Sequence, residues 1–304
     1  ALPQTSMSEE DRKERGIRDR LLEINKIAAT YYYRQLRSEN GKAGLDYLKK
    51  RELSDSTINS FGLGYATQST GNLYKLLKDK GYDDDILKES GLFTYERGIH
   101  EKFWNRVIFP IMDINNKVIG FGGRVMGDAK PKYLNSPETR LFDKSRNLYG
   151  LNIARTSRKP NMIICEGYMD VISMHQAGFN QAVASLGTAL TPGHARLLKR
   201  YTDNVLITYD SDEAGVKAAL RAIPILKEAG LSTKVINMRP YKDPDEFIKA
   251  MGAEAFQERI DNAENSFMYE IGTMLRNYDR GDPESETAFE REVAAKLVTF
   301  KEKL

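Results

Sequence analysis

Cysteine is nearly absent from this sequence of 304 residues, in which Cys165 stands alone. A single cysteine excludes an internal disulfide and a cysteine-rich zinc site within the chain. Histidine is almost as scarce. The three histidines lie far apart without metal-ligand spacing, so structural or surface roles are expected for His100, His175 and His194. No apolar stretch approaches the ~20 residues needed to cross a bilayer, and no signal peptide precedes the first predicted helix. Together these absences favour a cytoplasmic protein.

The composition is otherwise ordinary for a globular protein, with 40% hydrophobic and 29% charged residues. The length exceeds one typical domain, so two or three packed units are expected. The net charge is only +3, but residues 97–158 hold 12 lysines and arginines against 5 acidic residues, an excess of +7 that leaves −4 for the rest of the chain. This distribution suggests a surface for a polyanion beside a site for cations. Charge counts alone leave an ordinary solvated surface equally open.

The first half of the sequence predicts helices followed by a β-hairpin. Polar residues without periodicity predict a linker over 1–17. Apolar spacing predicts helices over 18–37, 43–51 and roughly 71–80, with Ser54 as a helix N-cap. Two runs rich in β-branched and aromatic residues then flank Asn115-Asn116-Lys117, which predicts an antiparallel hairpin.

Beyond Pro160 the pattern changes to alternating strands and helices. Strands are predicted in MIICEG, QAVASLG, NVLITYD and TKVINM, and helices over 168–177, 192–200 and 213–229. This alternation favours a parallel sheet covered by helices on both faces. Residues from 253 onward are charged and helix-rich without strand signals, which predicts a small helical unit.

Acidic residues follow several of these predicted strands. Glu166 ends the first strand of the alternating segment, Asp210 and Asp212 follow a later one, and Asp243 and Asp245 lie just beyond the last. In an open α/β sheet, ligands collect at the carboxyl ends of the strands. Five carboxylates converging there would repel one another unless divalent cations neutralised them. Oxygen ligands without histidine or thiolate favour Mg²⁺ or Mn²⁺ over zinc.

Each acidic cluster also has a simpler interpretation. Asp-x-Asp occurs often by chance, and acids from Asp210 to Glu213 could serve only to favour the N-terminus of the following helix. A phosphoacceptor at Asp210, as in receiver domains, is another possibility. The position of all three clusters at successive strand ends is what favours the metal site.

These motifs resemble a known family. Glu-Gly after one strand and Asp-x-Asp after another resemble the Toprim domain of primases and topoisomerases. The wider sequence resembles the catalytic core of bacterial DnaG-type replicative primase over roughly residues 45–250. The motifs that carry this resemblance are RVIFPIMD, VIGFGGRVM, PKYLNSPET and FDKSRNLYG upstream, and EGYMDVISMHQAG and ASLGTALT downstream. The resemblance implies an α/β fold in which a central Toprim domain (159–242), with a parallel sheet flanked by helices, follows a basic mixed α+β subdomain (18–158) and precedes a small helical subdomain (243–304).

The implied activity is DNA-templated synthesis of short RNA primers from ribonucleoside triphosphates, with Mg²⁺ or Mn²⁺ as cofactor. By position, Glu166, Asp210 and Asp212 resemble the principal catalytic and metal-site acids, and Asp243 and Asp245 the additional pair. Glu166 is also a possible general base. The residues that match nucleotide- or DNA-binding positions of the family are Arg51, Arg106, Arg124, Lys132, Asn135 and Lys144. The family glycine expected after Arg51 is replaced by Glu52, which puts the local turn in question.

The resemblance also implies partners. Single-stranded DNA and NTPs are expected ligands, and the alarmone guanosine tetraphosphate, (p)ppGpp, is a hypothetical inhibitor at the nucleotide site. Full-length relatives carry a zinc-binding domain, which one cysteine cannot form, and a C-terminal domain that contacts the replicative helicase. Two alternatives remain at this stage: another Toprim phosphodiester enzyme, such as a topoisomerase or nuclease, and a non-catalytic single-strand-binding module.

Overall fold

The computed structural model describes residues 8–96 and 98–301 of the chain. Within these residues, no helix combines the length and the apolar character that a membrane span requires. The elements form two sheets of four and five strands, one small two-stranded sheet, and the helices that cover them.

The chain begins with one long helix where a linker was predicted. Helix α1 spans Glu9–Leu36, so the linker over 1–17 is wrong from Glu9 onward, and residues 1–7 lie outside the described residues. Ser8 and Asp11 form a capping box that satisfies the free N–H groups of the first turn. The sequence reading missed this start because the first two turns are solvent-exposed and therefore lack apolar periodicity.

Short helices then lead into an antiparallel sheet. They are α2 (Lys42–Lys50), α3 (Asp55–Ser60), α4 (Asn72–Asp79) and α5 (Asp84–Glu89). Ser54 caps α3 as predicted, since its hydroxyl accepts the Thr57 N–H. The strands are β1 (Gly64–Ala66), β2 (Phe93–Thr94), β3 (His100–Glu101), β4 (Arg106–Met112), β5 (Val118–Val125) and β6 (Tyr133–Asn135).

The predicted hairpin is formed by β4 and β5, the centre of the four-stranded sheet β1-β4-β5-β6. Its turn is closed by Asp113, whose carboxylate accepts the N–H groups of Asn115 and Lys117. Helix α1 packs on this sheet through Ile24, Ala28 and Tyr32, which are almost fully buried.

The second half of the chain forms the parallel sheet that the alternating pattern predicted. It contains α6 (Leu151–Ala154), β7 (Met162–Cys165), α7 (Tyr168–Gln176), β8 (Ala182–Ala184), α8 (Pro192–Lys199), β9 (Asn204–Ile207), α9 (Glu213–Glu228) and β10 (Ser232–Val235). Strands β10, β9, β7 and β8 pair in parallel in that order. In β7, Ile163 and Cys165 join one hydrophobic cluster while Met162 and Ile164 join another, because successive side chains point to opposite faces of a strand. The sheet is therefore covered on both sides.

Helices close the C-terminal side, with one strand that was not predicted. Helix α10 (Pro244–Asp261) bends at Gly252, and α11 (Ser266–Leu275) and α12 (Pro283–Lys301) follow. Between α10 and α11, β11 (Glu264–Asn265) pairs antiparallel with β10, which corrects the expectation of a unit without strands. Two residues are too few for alternation to reveal a strand. Helix α10 also packs on α7 and so braces the helix that follows Glu166.

Candidate active site

Acidic residues meet at the carboxyl ends of the parallel strands. Glu166 directly follows β7, and Asp210 lies three residues beyond β9, its immediate neighbour in the sheet. The two acids are linked, because the Asp210 N–H donates to Glu166 Oε1 at 3.0 Å. Asp243, at the start of α10, completes one wall of the same cleft. The arrangement follows from strand direction, since parallel strands end at one edge of a sheet.

Basic and aromatic residues from the antiparallel half form the facing wall. The cleft has a volume of about 350 Å³. Its principal lining side chains are Arg51, Lys132, Tyr133, Asn135, Glu166, Tyr168, Asp170, Asp210, Lys242 and Asp243. Carboxylates and cations thus line one cleft, whose volume lies in the range of small-molecule binding sites.

Burial and mutual repulsion disfavour charge on the acids. Burial raises the pKa of Glu166, and the neighbouring charges of Asp210 and Asp212 add to the effect. Burial likewise raises the pKa of Asp210, against the opposing effect of Lys242. Burial, with Asp243 and Asp210, raises the pKa of Asp170 well above its ordinary value. A bound cation would relieve this repulsion.

Lys242 is a cleft residue that the sequence reading missed. Its ammonium lies 3.3 Å from the Asp210 carboxylate, while its side chain is 62% exposed. The ion pair with Asp210 raises the pKa of Lys242. The only sequence signal was its position next to Asp243. In this conformation the lysine supplies part of the positive charge that the acids require.

Asp212 and Asp243 both cap helices, as the simpler interpretation proposed. The Asp212 carboxylate accepts the Gly215 N–H at 2.9 Å, and Asp243 accepts the Glu246 N–H at 2.8 Å. Asp243 also lines the cleft, whereas Asp212 is exposed beside it. Capping does not exclude metal binding, because each carboxylate has a second oxygen.

Asp245 lies apart from the other acids, in a buried ion-pair network. It is 4% exposed, and its Oδ1 accepts a hydrogen bond from the Ser173 hydroxyl at 2.6 Å. Its Oδ2 pairs with Arg51 and, at 3.0 Å, with Lys249. Although burial alone would lower the pKa of Arg51, Asp245 reverses the effect and the pKa is raised. Asp245 therefore anchors Arg51, which lines the cleft.

Three of the predicted basic residues, Lys132, Arg124 and Arg106, have different surroundings. Lys132 is exposed at the cleft, and Arg124 lies beside it, with its guanidinium 4.1 Å from the centre of the Tyr47 ring. Arg106 is instead 5% exposed, and its Nη1 donates to the carbonyls of Gly123 and Pro131. The structure buries Arg106 inside the hairpin, which argues against its predicted contact with nucleotide or DNA. The sequence could not show this, because an arginine in a strand gives no sign of which way its side chain points.

Asn135 and Lys144 have different surroundings. The Asn135 carbonyl accepts the Tyr168 hydroxyl at 2.7 Å, and its Nδ2 donates to the Leu186 carbonyl at 2.9 Å. Gly187 is required beside it, because its φ is +68° and a Cβ would lie 2.7 Å from Asn135 Nδ2. Lys144 does not line the cleft; it lies near Lys102, on a loop whose backbone is held by His194.

The donor set fits a hard divalent cation. Glu166, Asp210 and Asp243 offer carboxylate oxygens, and the residues that line the cleft include no histidine or cysteine. Within residues 8–96 and 98–301, no three acidic, histidine or cysteine side chains already converge in metal-binding geometry.

Comparison with known proteins identifies the family of the chain. Residues 31–155 match the family described as DNA primase catalytic core, N-terminal domain, and residues 163–248 match a Toprim-like family. The DNA primase of Clostridium acetobutylicum is 47% identical over 278 residues, which cover 91% of this chain and 46% of the relative. That of Escherichia coli K12 is 38% identical over 279 residues, covering 89% and 48%. The chain spans about half the length of the curated relatives it matches.

Solved structures agree with the sequence relatives. A structure of the DnaG primase catalytic domain bound to ssDNA is 35% identical, with a TM-score of 0.81, and the match covers 90% of this chain and 88% of that one. The RNA polymerase domain of Mycobacterium tuberculosis primase DnaG, in complex with a double-stranded DNA oligomer with a 6-nucleotide overhang, is 29% identical with a TM-score of 0.81, and the match covers 91% and 90%. The chain therefore belongs to the DnaG primase catalytic-core family.

Proposed function

We propose that the chain is the catalytic core of a DNA primase, which joins ribonucleoside triphosphates into short RNA primers on single-stranded DNA. The observation that carries the proposal is the cleft itself, where Glu166, Asp210 and Asp243 face Arg51 and Lys132. Nucleotidyl transfer needs both walls, because the triphosphate is polyanionic and the metal ions that accompany it require acidic ligands.

The residues proposed to hold Mg²⁺ or Mn²⁺ are Glu166, Asp210 and Asp212, with Asp243 beside them. When bound, the metal would lower the pKa of the primer 3′-hydroxyl and neutralise charge on the departing pyrophosphate. Asp245 was predicted as a further ligand, but ligation would require it to release Arg51 or Lys249. In the present conformation its contribution is to fix Arg51.

The basic wall is proposed to bind and orient the phosphates. Arg51 offers a planar guanidinium that its ion pair with Asp245 holds toward the cleft, and Lys132 offers a mobile point charge. When a cation binds the Asp210 carboxylate in place of Lys242, the Lys242 ammonium would be free to pair with a substrate phosphate instead. Glu166 can act as a metal ligand or as a general base, and its raised pKa is compatible with both.

Asn135, Arg124 and Lys144 keep their predicted roles toward nucleotide or template as proposals. Asn135 would act through its hydrogen bond with Tyr168, which also lines the cleft. Arg124 would act from beside Tyr133. We also keep the division into an N-terminal subdomain to 158, a Toprim domain over 159–242 and a helical subdomain from 243.

Further partners remain proposals. We expect (p)ppGpp to compete with GTP, since a cleft built for a triphosphate would accept a guanine nucleotide rich in phosphate. Inhibition that rising GTP does not relieve would count against this site. Contact with the replicative helicase through a C-terminal domain and a cytoplasmic location are expected from the family.

Labelled-ribonucleotide incorporation on single-stranded template, with and without Mn²⁺, tests the proposal. The protein should form RNA only with template and metal, and Glu166→Gln should reduce incorporation at least a hundredfold. Glu213→Gln, which neutralises an exposed acid three residues beyond Asp210, is the matched control and should be unaffected. A parallel relaxation assay on supercoiled DNA tests the topoisomerase alternative. Relaxation without RNA synthesis would refute the primase proposal.

A further inference from the structure

A second cavity, which we call the α9 cavity, adjoins the catalytic cleft at Glu166. Its volume is about 300 Å³, at the lower end of the range of small-molecule binding sites. It shares Glu166 and Gly187 with the cleft, whereas Arg51 and Lys132 line the cleft but not the α9 cavity. The acid that the proposed reaction uses therefore borders two adjoining spaces.

One face of helix α9 forms a wall of the α9 cavity. Ala218, Arg221 and Ala222 line it, since residues three and four apart lie on the same face of a helix. The small side chains of the two alanines leave space beside the arginine. Helical side chains lean toward the N-terminus of their helix, and for α9 that is the end capped by Asp212. The guanidinium of Arg221 thus shares one cavity with the carboxylate of Glu166.

The loop between β8 and α8 forms another wall, and hydrogen bonds hold it in place. The Nδ2 of Asn135 donates to the Leu186 carbonyl at 2.9 Å. Farther along, the hydroxyl of Thr191, the N-cap of α8, donates to the Ser145 carbonyl at 2.6 Å. A loop that is already fixed at both ends loses little conformational entropy when a ligand binds beside it.

The polar groups of the α9 cavity lack protein partners. Arg221 is exposed, and in the part of the chain that the structure describes it forms no ion pair with a carboxylate. In that same part, the hydroxyls of Ser185 and Thr188, which also line the cavity, form no hydrogen bond. Leu190 and Tyr209 add apolar surface. A guanidinium, hydroxyls and apolar surface in one cavity suit a nucleotide, which presents phosphates, a ribose and a base.

Primer synthesis from single nucleotides requires two of them in one active site. The 3′-hydroxyl oxygen of the initiating nucleotide attacks the α-phosphorus of the incoming one; a new O–P bond forms, the bond to pyrophosphate breaks, and Glu166, in its proposed role as general base, takes the hydroxyl proton. The initiating nucleotide keeps its own triphosphate throughout. Because Arg51 and Lys132 are proposed to bind the incoming triphosphate, the second triphosphate needs a separate cation near Glu166.

We propose that the α9 cavity holds the initiating nucleotide, with its 3′-hydroxyl at Glu166 and its triphosphate on Arg221. The inference rests on the proposed function, since it assigns a second substrate position to the same reaction. An arginine suits this position because its planar guanidinium can donate two parallel hydrogen bonds to one phosphate. A preformed primer depends less on this contact, because pairing with the template also holds its 3′ end.

Separate variation of the two nucleotides tests the assignment. We would measure the first bond formed on a single-stranded template from which the protein starts RNA synthesis and whose first two nucleotides differ. Arg221→Gln should raise the KM for the initiating nucleotide about tenfold, which corresponds to the loss of one charge-assisted hydrogen bond at the lower end of its range. The KM for the incoming nucleotide should change much less, and extension of a preformed primer should suffer less than initiation.

Two further variants control for charge and for general effects on α9. Arg221→Lys keeps the positive charge and should recover part of the lost affinity. Lys217→Gln removes a cation one helical turn earlier, where Lys217 pairs with Glu213, and should keep both parental KM values. If Arg221→Gln raised the KM for the initiating nucleotide no more than that for the incoming one, the inference would be overturned and the proposed function would stand. Absence of RNA from the parent, with and without a preformed primer, would contradict both.

Discussion

Replacing Asp245 with asparagine is expected to destabilise the metal-free protein, whereas the same change at Asp210 is not. Asp245 is 4% exposed and pairs with the cations of Arg51 and Lys249, whose side chains are 36% and 26% exposed. Breaking a fully buried pair costs about 3–5 kcal/mol, and breaking an exposed pair costs about 0–1 kcal/mol. Because Asp245 is buried and both of its partners are partly exposed, Asp245→Asn is expected to lower the free energy of unfolding by about 2 kcal/mol.

At Asp210, the loss of the ion pair costs less and the relief of repulsion between acids counts for more. Its partner Lys242 is 62% exposed, so the lost ion pair is worth about 0–1 kcal/mol. Removing its charge also relieves the repulsion that helps to raise the pKa of Glu166. The stability of Asp210→Asn should therefore equal or exceed that of the parent.

Thermal unfolding in the presence of EDTA, near neutral pH, separates the two cases. At about 2 °C or somewhat more per kcal/mol for a chain of this size, the melting temperature of Asp245→Asn should fall by about 4 °C. That of Asp210→Asn should stay or rise. An Asp245→Asn protein as stable as the parent would refute the structural role and return Asp245 to the group of mutually repelling acids.

Four further predictions follow from the structure. Arg106→Met should lower the melting temperature and leave the salt dependence of DNA binding unchanged, since Arg106 is buried; a reduced salt slope with intact stability would restore it to the template surface. Lys132→Gln should reduce that slope by about 0.7 and weaken nucleotide use, measured by anisotropy and by nucleotide incorporation; a parental slope would remove Lys132 from the phosphate contacts. Glu52→Gly should stabilise the protein by up to about 1 kcal/mol in thermal unfolding, because Glu52 has a φ of +61°; a loss of stability would show that its side chain matters more than its backbone. Burial lowers the pKa of His175 and His194, so the unfolded chain binds protons first as the pH falls. The stabilising contribution of each histidine should therefore be present above the ordinary histidine pKa and decline below it, by up to about 1.4 kcal/mol per pH unit for each residue. Urea titrations that show no decline in that range would contradict this prediction.

Strand direction and apolar periodicity explain why much of the fold was predictable. The helices predicted at 168–177, 192–200 and 213–229 agree with α7, α8 and α9 to within one residue. Once these alternate with parallel strands, Glu166 and Asp210 must lie at one edge of the sheet. The local sequence was therefore sufficient to predict where the acidic wall of the cleft lies.

The basic wall of the cleft was harder to predict from the sequence, because it depends on side-chain direction and on long-range contacts. Arg106 and Arg124 belong to paired strands, yet one is buried and the other lies over Tyr47. Asp245 follows Asp243 by two residues, but it is buried against Ser173 and Arg51, which are far away in sequence. No local pattern encodes such pairings. Lys242 was missed for the same reason, since a lysine beside an acid is ordinary on any surface.

We propose that the acidic wall of the cleft supports template-directed RNA synthesis. The most direct measurement resolves by length the labelled RNA formed on a single-stranded template at high protein concentration with Mn²⁺, for the parent and for Asp210→Asn. We expect short RNA oligomers from the parent and none from Asp210→Asn, although both proteins fold and bind the template. Equal RNA synthesis by the two proteins would show that the acidic wall is not needed for RNA synthesis.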